Sequence, residues 1–134
     1  MEHKILIVED DDFLSGLVTR KLVAAGFTVS SASDGEEAMR KIKEEKPGLI
    51  LLDEILPGIN GFEILTHIKK DPATATIPVI MLTNMGQKEE IDRGLALGAS
   101  EYLIKAYLSP DEIVKKVKTY IPESNRSARN TPGV

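Results

Sequence analysis

The chain contains no cysteine. A disulfide framework, a zinc site built on thiolates and a cysteine nucleophile are therefore excluded, and the fold has to be stabilised by packing alone. No apolar run approaches the roughly 18 residues that a membrane-spanning helix needs. The N-terminal segment MEHKILIVED becomes acidic where a signal peptide would have its cleavage site. These absences favour a cytoplasmic protein that is neither exported nor embedded in a membrane.

Positive charge is also scarce compared with what a nucleic-acid-binding surface requires. The 17 Lys and Arg residues stand against 21 Asp and Glu residues, which gives a net charge of −4, and the basic residues are scattered along the chain. A protein that follows a duplex needs a stripe of basic residues to neutralise phosphates. We therefore expect no direct contact with nucleic acid.

What is present suits one folded domain. The 134 residues are 42% hydrophobic and 28% charged, close to an ordinary globular mixture. A single hydrophobic core usually serves about 100–200 residues. Residues 123–134 (ESNRSARNTPGV) have almost no aliphatic side chains, which is typical of a flexible tail or the start of a linker. We predict a domain over residues 1–122 and a polar tail over 123–134.

Short aliphatic runs alternate with helical periodicities along the chain. The run Leu49–Leu52 has no polar alternation, which is what a strand covered on both faces requires. Capping residues precede three of the five helical segments, and Ser109-Pro110-Asp111-Glu112 is the strongest of these signals. The predicted strands are residues 4–8, 27–32, 49–52, 79–83 and 101–104. The predicted helices are residues 11–25, a segment from the Ser33–Glu36 capping box to before Pro47, and residues 62–70, 88–97 and 110 to about 120.

Five strands that alternate with five helices predict an α/β fold. The sheet is expected to be parallel and doubly wound, with helices on both faces, because parallel strands need a crossover of a dozen or more residues. Such a sheet has its working site outside the carboxyl ends of its strands. The polar residues at those ends are Glu9, Asp10 and Asp11 (first strand), Asp53 (third), Thr83 (fourth) and Lys105 (fifth).

Glu9, Asp10 and Asp53 would bring like charges together. Two carboxylates about 4 Å apart repel by roughly 4 kcal/mol at an effective dielectric near 20, so the cluster predicts a cation among them. Ligands that are all oxygen, without histidine or cysteine, favour Mg²⁺ or Mn²⁺ over zinc. We therefore predict a Mg²⁺ site beside Asp53, with Mn²⁺ as the alternative ion.

The ordered set of motifs resembles the receiver domain of two-component response regulators. The likeness is carried by IVED at 7–10, LLDEILPGINGFE at 51–63, MLTN at 81–84 and YLIKAY at 102–107, and it covers nearly all of residues 4–120. An acid pair alone would be weak evidence, whereas this set in this order is specific. The resemblance implies a CheY-like, flavodoxin-like (βα)5 sheet with the strand order 2-1-3-4-5.

The resemblance also implies roles for the acidic residues. Asp53 would be the phosphoryl acceptor, attacking the phosphorus of a phosphohistidine on a sensor histidine kinase or of a small phosphodonor. Asp10 would bind Mg²⁺ directly, Glu9 would act on the ion through water, and the backbone carbonyl of Ile55 would be a further ligand. The protein would then be a phosphoprotein switch with slow self-dephosphorylation and not a turnover enzyme.

A conformational switch is implied as well. Phosphoryl transfer requires in-line positioning and neutralisation of three phosphoryl oxygens, and the Lys105 ammonium and the Thr83 hydroxyl would each take one. By the resemblance, Thr83 moves toward the phosphoryl group and Tyr102 turns inward behind it. An unknown downstream effector would read the altered surface at residues 88–120. The other implied partner is the kinase or a phosphotransfer protein, and the chain would be a monomer or a weak phosphorylation-dependent dimer.

Three residues depart from the family's pattern. Ala106 follows the lysine where proline is usual, commonly in a cis peptide bond that aims the lysine, and a cis bond before alanine costs about 2.5–4 kcal/mol. Asn84 stands where a small residue is usual. Glu54 stands where an aliphatic residue is common, and we expect it to add negative charge near the acidic rim. These departures leave the aim of Lys105 open and predict an altered phosphorylated lifetime.

Two other functions fit parts of the pattern. A pseudo-receiver would bind partners through the face from helix four to helix five without being phosphorylated, and the departures at Ala106 and Glu54 leave room for it. A haloacid-dehalogenase-like phosphatase also uses an aspartate at a strand end with Mg²⁺. Its pattern has a second acid two residues after the nucleophile, where this chain has Ile55.

Overall fold

The computed structural model describes residues 4–121, which form a five-stranded parallel sheet in the order β2-β1-β3-β4-β5. The strands are β1 (Lys4–Val8), β2 (Thr28–Ala32), β3 (Leu49–Leu52), β4 (Val79–Thr83) and β5 (Glu101–Ile104). The helices are α1 (Asp12–Ala24), α2 (Gly35–Glu45), α3 (Gly61–Lys70), α4 (Lys88–Ala96) and α5 (Pro110–Tyr120), and a 3₁₀ turn (Lys105–Tyr107) precedes α5. The predicted flavodoxin-like fold and its strand order are confirmed. The predicted tail at 123–134 lies outside the described residues.

Both faces of the sheet are covered by helices. Along β1, Ile5 and Ile7 belong to one core cluster and Leu6 and Val8 to the other. The first cluster includes side chains of α1 and α5, and the second includes side chains of α2 and α3. The run Leu49–Leu52 is buried throughout, as a strand covered on both faces requires. Within residues 4–121, no helix combines the length and the apolar character needed to cross a membrane.

The helix starts agree with most of the predicted caps. Asp11 is the N-cap of α1, and the Ser109–Glu112 capping box is formed at α5. At α2 the cap lies one residue later than predicted: Asp34 accepts a hydrogen bond from the backbone N–H of Glu37 at 2.8 Å. The pairs Ser33–Glu36 and Asp34–Glu37 have the same spacing, and the charged carboxylate is the stronger acceptor.

Gly61 holds the loop between β3 and α3 against the end of β3. A Cβ on Gly61 would lie 2.2 Å from the backbone oxygen of Asp53 and 2.7 Å from Cα of Glu54. The backbone N–H of Gly61 donates a hydrogen bond to the carbonyl of Glu54 at 2.8 Å. Only a residue without a side chain fits this approach, so Gly61 helps to fix the position of Asp53.

We predict that Gly61→Ala lowers the free energy of unfolding by about 2–3 kcal/mol, because backbone atoms have to move to admit the methyl group. Urea unfolding measures this change. Gly16→Ala in α1 is the matched control, since the atom nearest to its Cβ is the tip of Arg20 at 3.8 Å. That control should be neutral or stabilise by up to about 1 kcal/mol through helix propensity. Equal effects of the two substitutions would contradict the role given to Gly61.

Candidate functional site

The carboxyl ends of β1 and β3 bring three carboxylates together. Glu9, Asp10 and Asp53 each offer an oxygen that lies within 4.8 Å of the other two. The backbone N–H of Asp53 donates to the carbonyl of Val8 at 3.1 Å, which continues the β1–β3 pairing past the strand ends. Glu9 and Asp53 are each 5% exposed, whereas Asp10 is exposed. The expected convergence of these side chains is present in the structure, and their individual roles stay predictions.

This cluster has the chemistry of a site for a hard divalent cation. Its ligand atoms are all carboxylate oxygens, and neither histidine nor cysteine belongs to it within residues 4–121. Mg²⁺ and Mn²⁺ prefer such oxygens, and Mg²⁺ usually keeps several waters in its coordination shell. The exposed Asp10 leaves one side of the cluster open to solvent, so the residues present fit the predicted ion.

Lys105 reaches the same cluster from the end of β5. Its Nζ lies 2.7 Å from Oδ2 of Asp53 and 2.5 Å from Oε1 of Glu9. Burial disfavours the ammonium, but its hydrogen bonds to Asp53 and Glu9 outweigh burial and raise the pKa of Lys105. All peptide bonds between residues 4 and 121 are trans. Lys105 is followed by Ala106 through a trans peptide bond, and its ammonium still contacts Asp53. A cis peptide bond after the lysine is therefore not needed to direct it at Asp53.

Glu9 is held from two sides. Its Oε1 meets Lys105, and its Oε2 accepts a hydrogen bond from the backbone N–H of Asp11 at 3.1 Å. Burial is the largest influence on Glu9 and raises its pKa, although Lys105 acts in the opposite direction. The ion pair with Lys105 was not predicted, because β1 and β5 are not neighbours in the sheet.

The two oxygens of Asp53 have different partners. Oδ2 faces the Lys105 ammonium, and Oδ1 accepts a hydrogen bond from the backbone N–H of Ile55 at 3.2 Å. The carboxylate is therefore oriented by one cation and one amide. The structure thus places the Ile55 amide at Asp53, while the Ile55 carbonyl as a metal ligand stays a prediction.

Thr83 lies at the end of the strand next to β3. The register pairs Leu52 with Met81, which puts Thr83 near the level of Asp53. Its side chain is buried, and its hydroxyl oxygen accepts a hydrogen bond from the backbone N–H of Met85 at 3.4 Å. Within residues 4–121 no hydrogen bond joins this hydroxyl to Asp53. The structure thus places Thr83 at the end of the strand next to β3, with no hydrogen bond to Asp53 among the described residues.

Tyr102 has its hydroxyl turned toward the end of β3. The hydroxyl lies 2.5 Å from the carbonyl oxygen of Met85 and 3.1 Å from Oε1 of Glu54, and it is the donor to both. Burial, followed by the charge of Glu54, raises the pKa of Tyr102, so the phenol keeps its proton at neutral pH. Tyr102 is thus turned inward in this structure.

Glu54 is only 6% exposed, and its carboxyl lies close enough to Asp53 for the two charges to interact. Burial and, next, the nearby carboxyl of Glu90 raise the pKa of Glu54 to about 7. Its position follows from strand parity, because residues two apart share one face of a sheet. Glu54 follows Leu52 by two, and Leu52 belongs to the core cluster against which Tyr102 packs. Parity was the signal that could have found this contact.

Comparison with known proteins agrees with this geometry. The family profile described as "Response regulator receiver domain" matches residues 5–118. The chain is 38% identical over 131 residues to the phosphate regulon transcriptional regulatory protein PhoB of Rhizobium meliloti, an alignment that covers 98% of this chain and 57% of that protein. The chain spans about half the length of the curated relatives that it matches.

Two solved structures show the same likeness. The Mn²⁺-bound form of the response regulator Rcp1 is 30% identical with a TM-score of 0.80, covering 90% of this chain and 95% of that chain. The phosphorylated cyanobacterial phytochrome response regulator RcpA is 29% identical with a TM-score of 0.77, covering 89% and 93%. The protein described here belongs to the receiver domains of two-component response regulators.

Proposed function

We propose that this domain is a phosphoryl-accepting switch in which Asp53 takes a phosphoryl group from a sensor histidine kinase or a phosphotransfer protein. The observation that carries the proposal is the contact of Asp53 with Lys105 inside a cluster that also contains Glu9 and Asp10. An Asp53 oxygen would attack phosphorus as the bond from phosphorus to the donor histidine nitrogen breaks. That nitrogen leaves with the bonding electrons, and an acyl phosphate is formed.

The contacts of Asp53 prepare it for this reaction. Lys105 and the Ile55 amide orient the carboxylate, and most of the catalysis in phosphoryl transfer is positioning and charge neutralisation. The Lys105 ammonium would then neutralise one phosphoryl oxygen. The Thr83 hydroxyl accepts a hydrogen bond from Met85, and its own proton remains available to donate to another phosphoryl oxygen.

The acidic cluster would hold the ion that the reaction requires. Asp10 and Asp53 would be direct ligands of Mg²⁺, together with the carbonyl of Ile55, and Glu9 would act through water. When bound, the ion supplies positive charge against the phosphoryl oxygens. The Mn²⁺-bound form of the similar Rcp1 supports a divalent cation in this family and keeps Mn²⁺ as the alternative.

The output surface is proposed to be α4, β5 and α5, residues 88–120. Tyr102 lies on β5 and its hydroxyl meets the loop before α4 through Met85, so movement of Thr83 and Tyr102 would alter this face. An effector that prefers the inward state would shift the population toward it.

We further propose a cytoplasmic monomer, or a weak phosphorylation-dependent dimer, that itself makes no direct contact with nucleic acid.

Intact mass measured after incubation with acetyl phosphate and Mg²⁺ tests the proposal. We expect the chain to gain the mass of one phosphoryl group, and we expect Asp53→Asn and samples with a chelator to gain none. Asp12→Asn, which removes an exposed acid in the first turn of α1, is the matched control and should gain the group as the wild type does. A chain that turns over acetyl phosphate without retaining the group, or one that stays unchanged, contradicts the proposal.

A further inference from the structure

The inward position of Tyr102 depends on acceptors from two different segments. The Met85 carbonyl comes from the connection between β4 and α4, and the Glu54 carboxylate comes from the residue after the phosphoryl acceptor. A phenol has a single proton, which these two acceptors share. An aliphatic side chain in place of Glu54 would leave only one of them.

Glu54 is held in a fixed place. Its carbonyl accepts the hydrogen bond from Gly61, whose backbone approaches too closely to allow any side chain. The preceding residue, Asp53, is hydrogen-bonded to the end of β1. With both sides of Glu54 tied to the sheet and its side chain nearly enclosed, the carboxylate presents its oxygen to Tyr102 from a rigid base.

A second observation concerns the ring of Tyr102, which lies against the backbone of α4 at Gly94. A Cβ on Gly94 would lie 2.8 Å from Cδ2 and 3.1 Å from Cε2 of Tyr102, and 3.4 Å from Cε1 of Phe62. The inward ring therefore occupies space that exists because residue 94 has no side chain. The ring of Tyr102 thus depends on the space at Gly94, whereas its hydroxyl depends on the acceptors of Glu54 and Met85.

From these contacts we propose that Glu54 is a positioning residue that holds Tyr102 inward before Asp53 is phosphorylated. The resting chain then already populates the arrangement that phosphorylation selects, and it does so through a residue adjacent to the acceptor. The interpretation of inward Tyr102 as the signalling state rests on the proposed function. The role of Glu54 in holding Tyr102 inward rests on the hydrogen bonds and packing contacts alone. Loss of the hydrogen bond to Glu54 should shift the ratio of inward to outward Tyr102 by about 2- to 10-fold, the range of an ordinary side-chain hydrogen bond.

Fluorine NMR of chain containing 3-fluorotyrosine tests this inference without a phosphodonor. The chain has three tyrosines and no tryptophan, and Tyr102→Phe assigns the resonance of interest. Relaxation by a soluble paramagnetic chelate reports exposure, and Tyr107, which is 78% exposed, is the internal reference. We expect Tyr102 to be protected in the wild type and in Glu54→Gln, which keeps an acceptor oxygen.

In Glu54→Leu we expect relaxation of Tyr102 to rise toward that of Tyr107, and phosphorylation should restore its protection. Gly94→Ala supplies the reference for a displaced ring, because the added methyl group overlaps the inward position. Protection of Tyr102 in Glu54→Leu that equals the wild type, while Gly94→Ala exposes it, overturns the proposal. Loss of protection in Glu54→Gln as large as that in Glu54→Leu also overturns it.

The same samples separate this inference from the proposed function. Intact mass after treatment with acetyl phosphate and Mg²⁺ reports whether the wild-type chain accepts a phosphoryl group. If the wild-type chain accepts no phosphoryl group, the proposed function is contradicted. The exposure of Tyr102 in the untreated variants still tests the role of Glu54. An unchanged Tyr102 in Glu54→Leu removes Glu54 from its role even where phosphorylation proceeds.

Discussion

Lys105→Ala is expected to lower the free energy of unfolding by about 3 kcal/mol in magnesium-free buffer at neutral pH, and Mg²⁺ is expected to restore most of that loss. The Lys105 side chain is 15% exposed and lies between the buried carboxylates of Glu9 and Asp53. Removing one partner from a buried ion pair costs about 3–5 kcal/mol, because it leaves charge without compensation. A divalent cation in the cluster would supply the missing charge. Urea unfolding with and without Mg²⁺ measures both effects.

Lys116→Ala is the matched control for this experiment. Lys116 pairs with Glu101 at 3.1 Å on a partly exposed surface, and such pairs contribute less than about 1 kcal/mol. The decrease in the free energy of unfolding of Lys116→Ala should be small and independent of Mg²⁺. If Mg²⁺ leaves the deficit of Lys105→Ala unchanged, the ion does not bind in the acidic cluster.

The same variant also tests the role of Lys105 in the switch. We expect Lys105→Ala to keep its Mg²⁺ site and to bind the ion more tightly than the wild type, because Lys105 is not a ligand and its positive charge opposes the ion. The variant should nevertheless lose the response of the output surface to phosphorylation. A partner that still discriminates between the phosphorylated and unphosphorylated forms of this variant would remove Lys105 from the mechanism.

Asp10→Asn is expected to have two effects of opposite sign. The affinity for Mg²⁺ should fall by about 100-fold or more, because the charge and number of carboxylate ligands set the affinity of such sites. The metal-free chain should become more stable by about 1–2 kcal/mol, because the substitution removes a like charge within 4.8 Å of Glu9 and Asp53. Titration calorimetry with Mg²⁺ measures the first effect, and urea unfolding in a chelator measures the second.

Asp12→Asn serves as the control here as well. Asp12 lies in the first turn of α1 and outside the acidic cluster, so its removal should leave Mg²⁺ binding unchanged. Removing the negative charge of Asp12 from the N-terminus of α1 should lower the free energy of unfolding by less than about 1 kcal/mol, because that charge interacts favourably with the helix dipole. Retained Mg²⁺ affinity in Asp10→Asn would exclude Asp10 as a ligand.

The architecture could be predicted because its signals are local. The aliphatic run of β3 indicates burial on both faces, and the capping box before α5 marks a helix start within the few residues that form it. β1, β3, β4 and β5 have the predicted bounds, and β2 differs by one residue. Since parallel strands end at one edge, the alternation of strands and helices placed Asp10 and Asp53 at the same edge of the sheet, and the resemblance implied that β1 and β3 are neighbours.

The contacts between distant side chains could not be predicted in the same way. Lys105 pairs with Glu9 across strands that are not neighbours, and this depends on the 3₁₀ turn after β5, for which the sequence has no distinct signal. The burial of Glu54 and its contact with Tyr102 were not predicted, because the parity of Glu54 with Leu52 was not applied beyond the strand end. The contact of Lys105 with Glu9 depends on tertiary geometry, which periodicity does not encode.

The central claim is that Asp53 becomes an acyl phosphate inside the acidic cluster, and locating the modified residue tests it most directly. Borohydride reduces an aspartyl phosphate to homoserine, so treated chain can be digested and its peptides sequenced by mass spectrometry. After incubation with acetyl phosphate and Mg²⁺, we predict homoserine at position 53 and at no other position. Homoserine at position 10, phosphate on His67, or no modified residue would contradict the account.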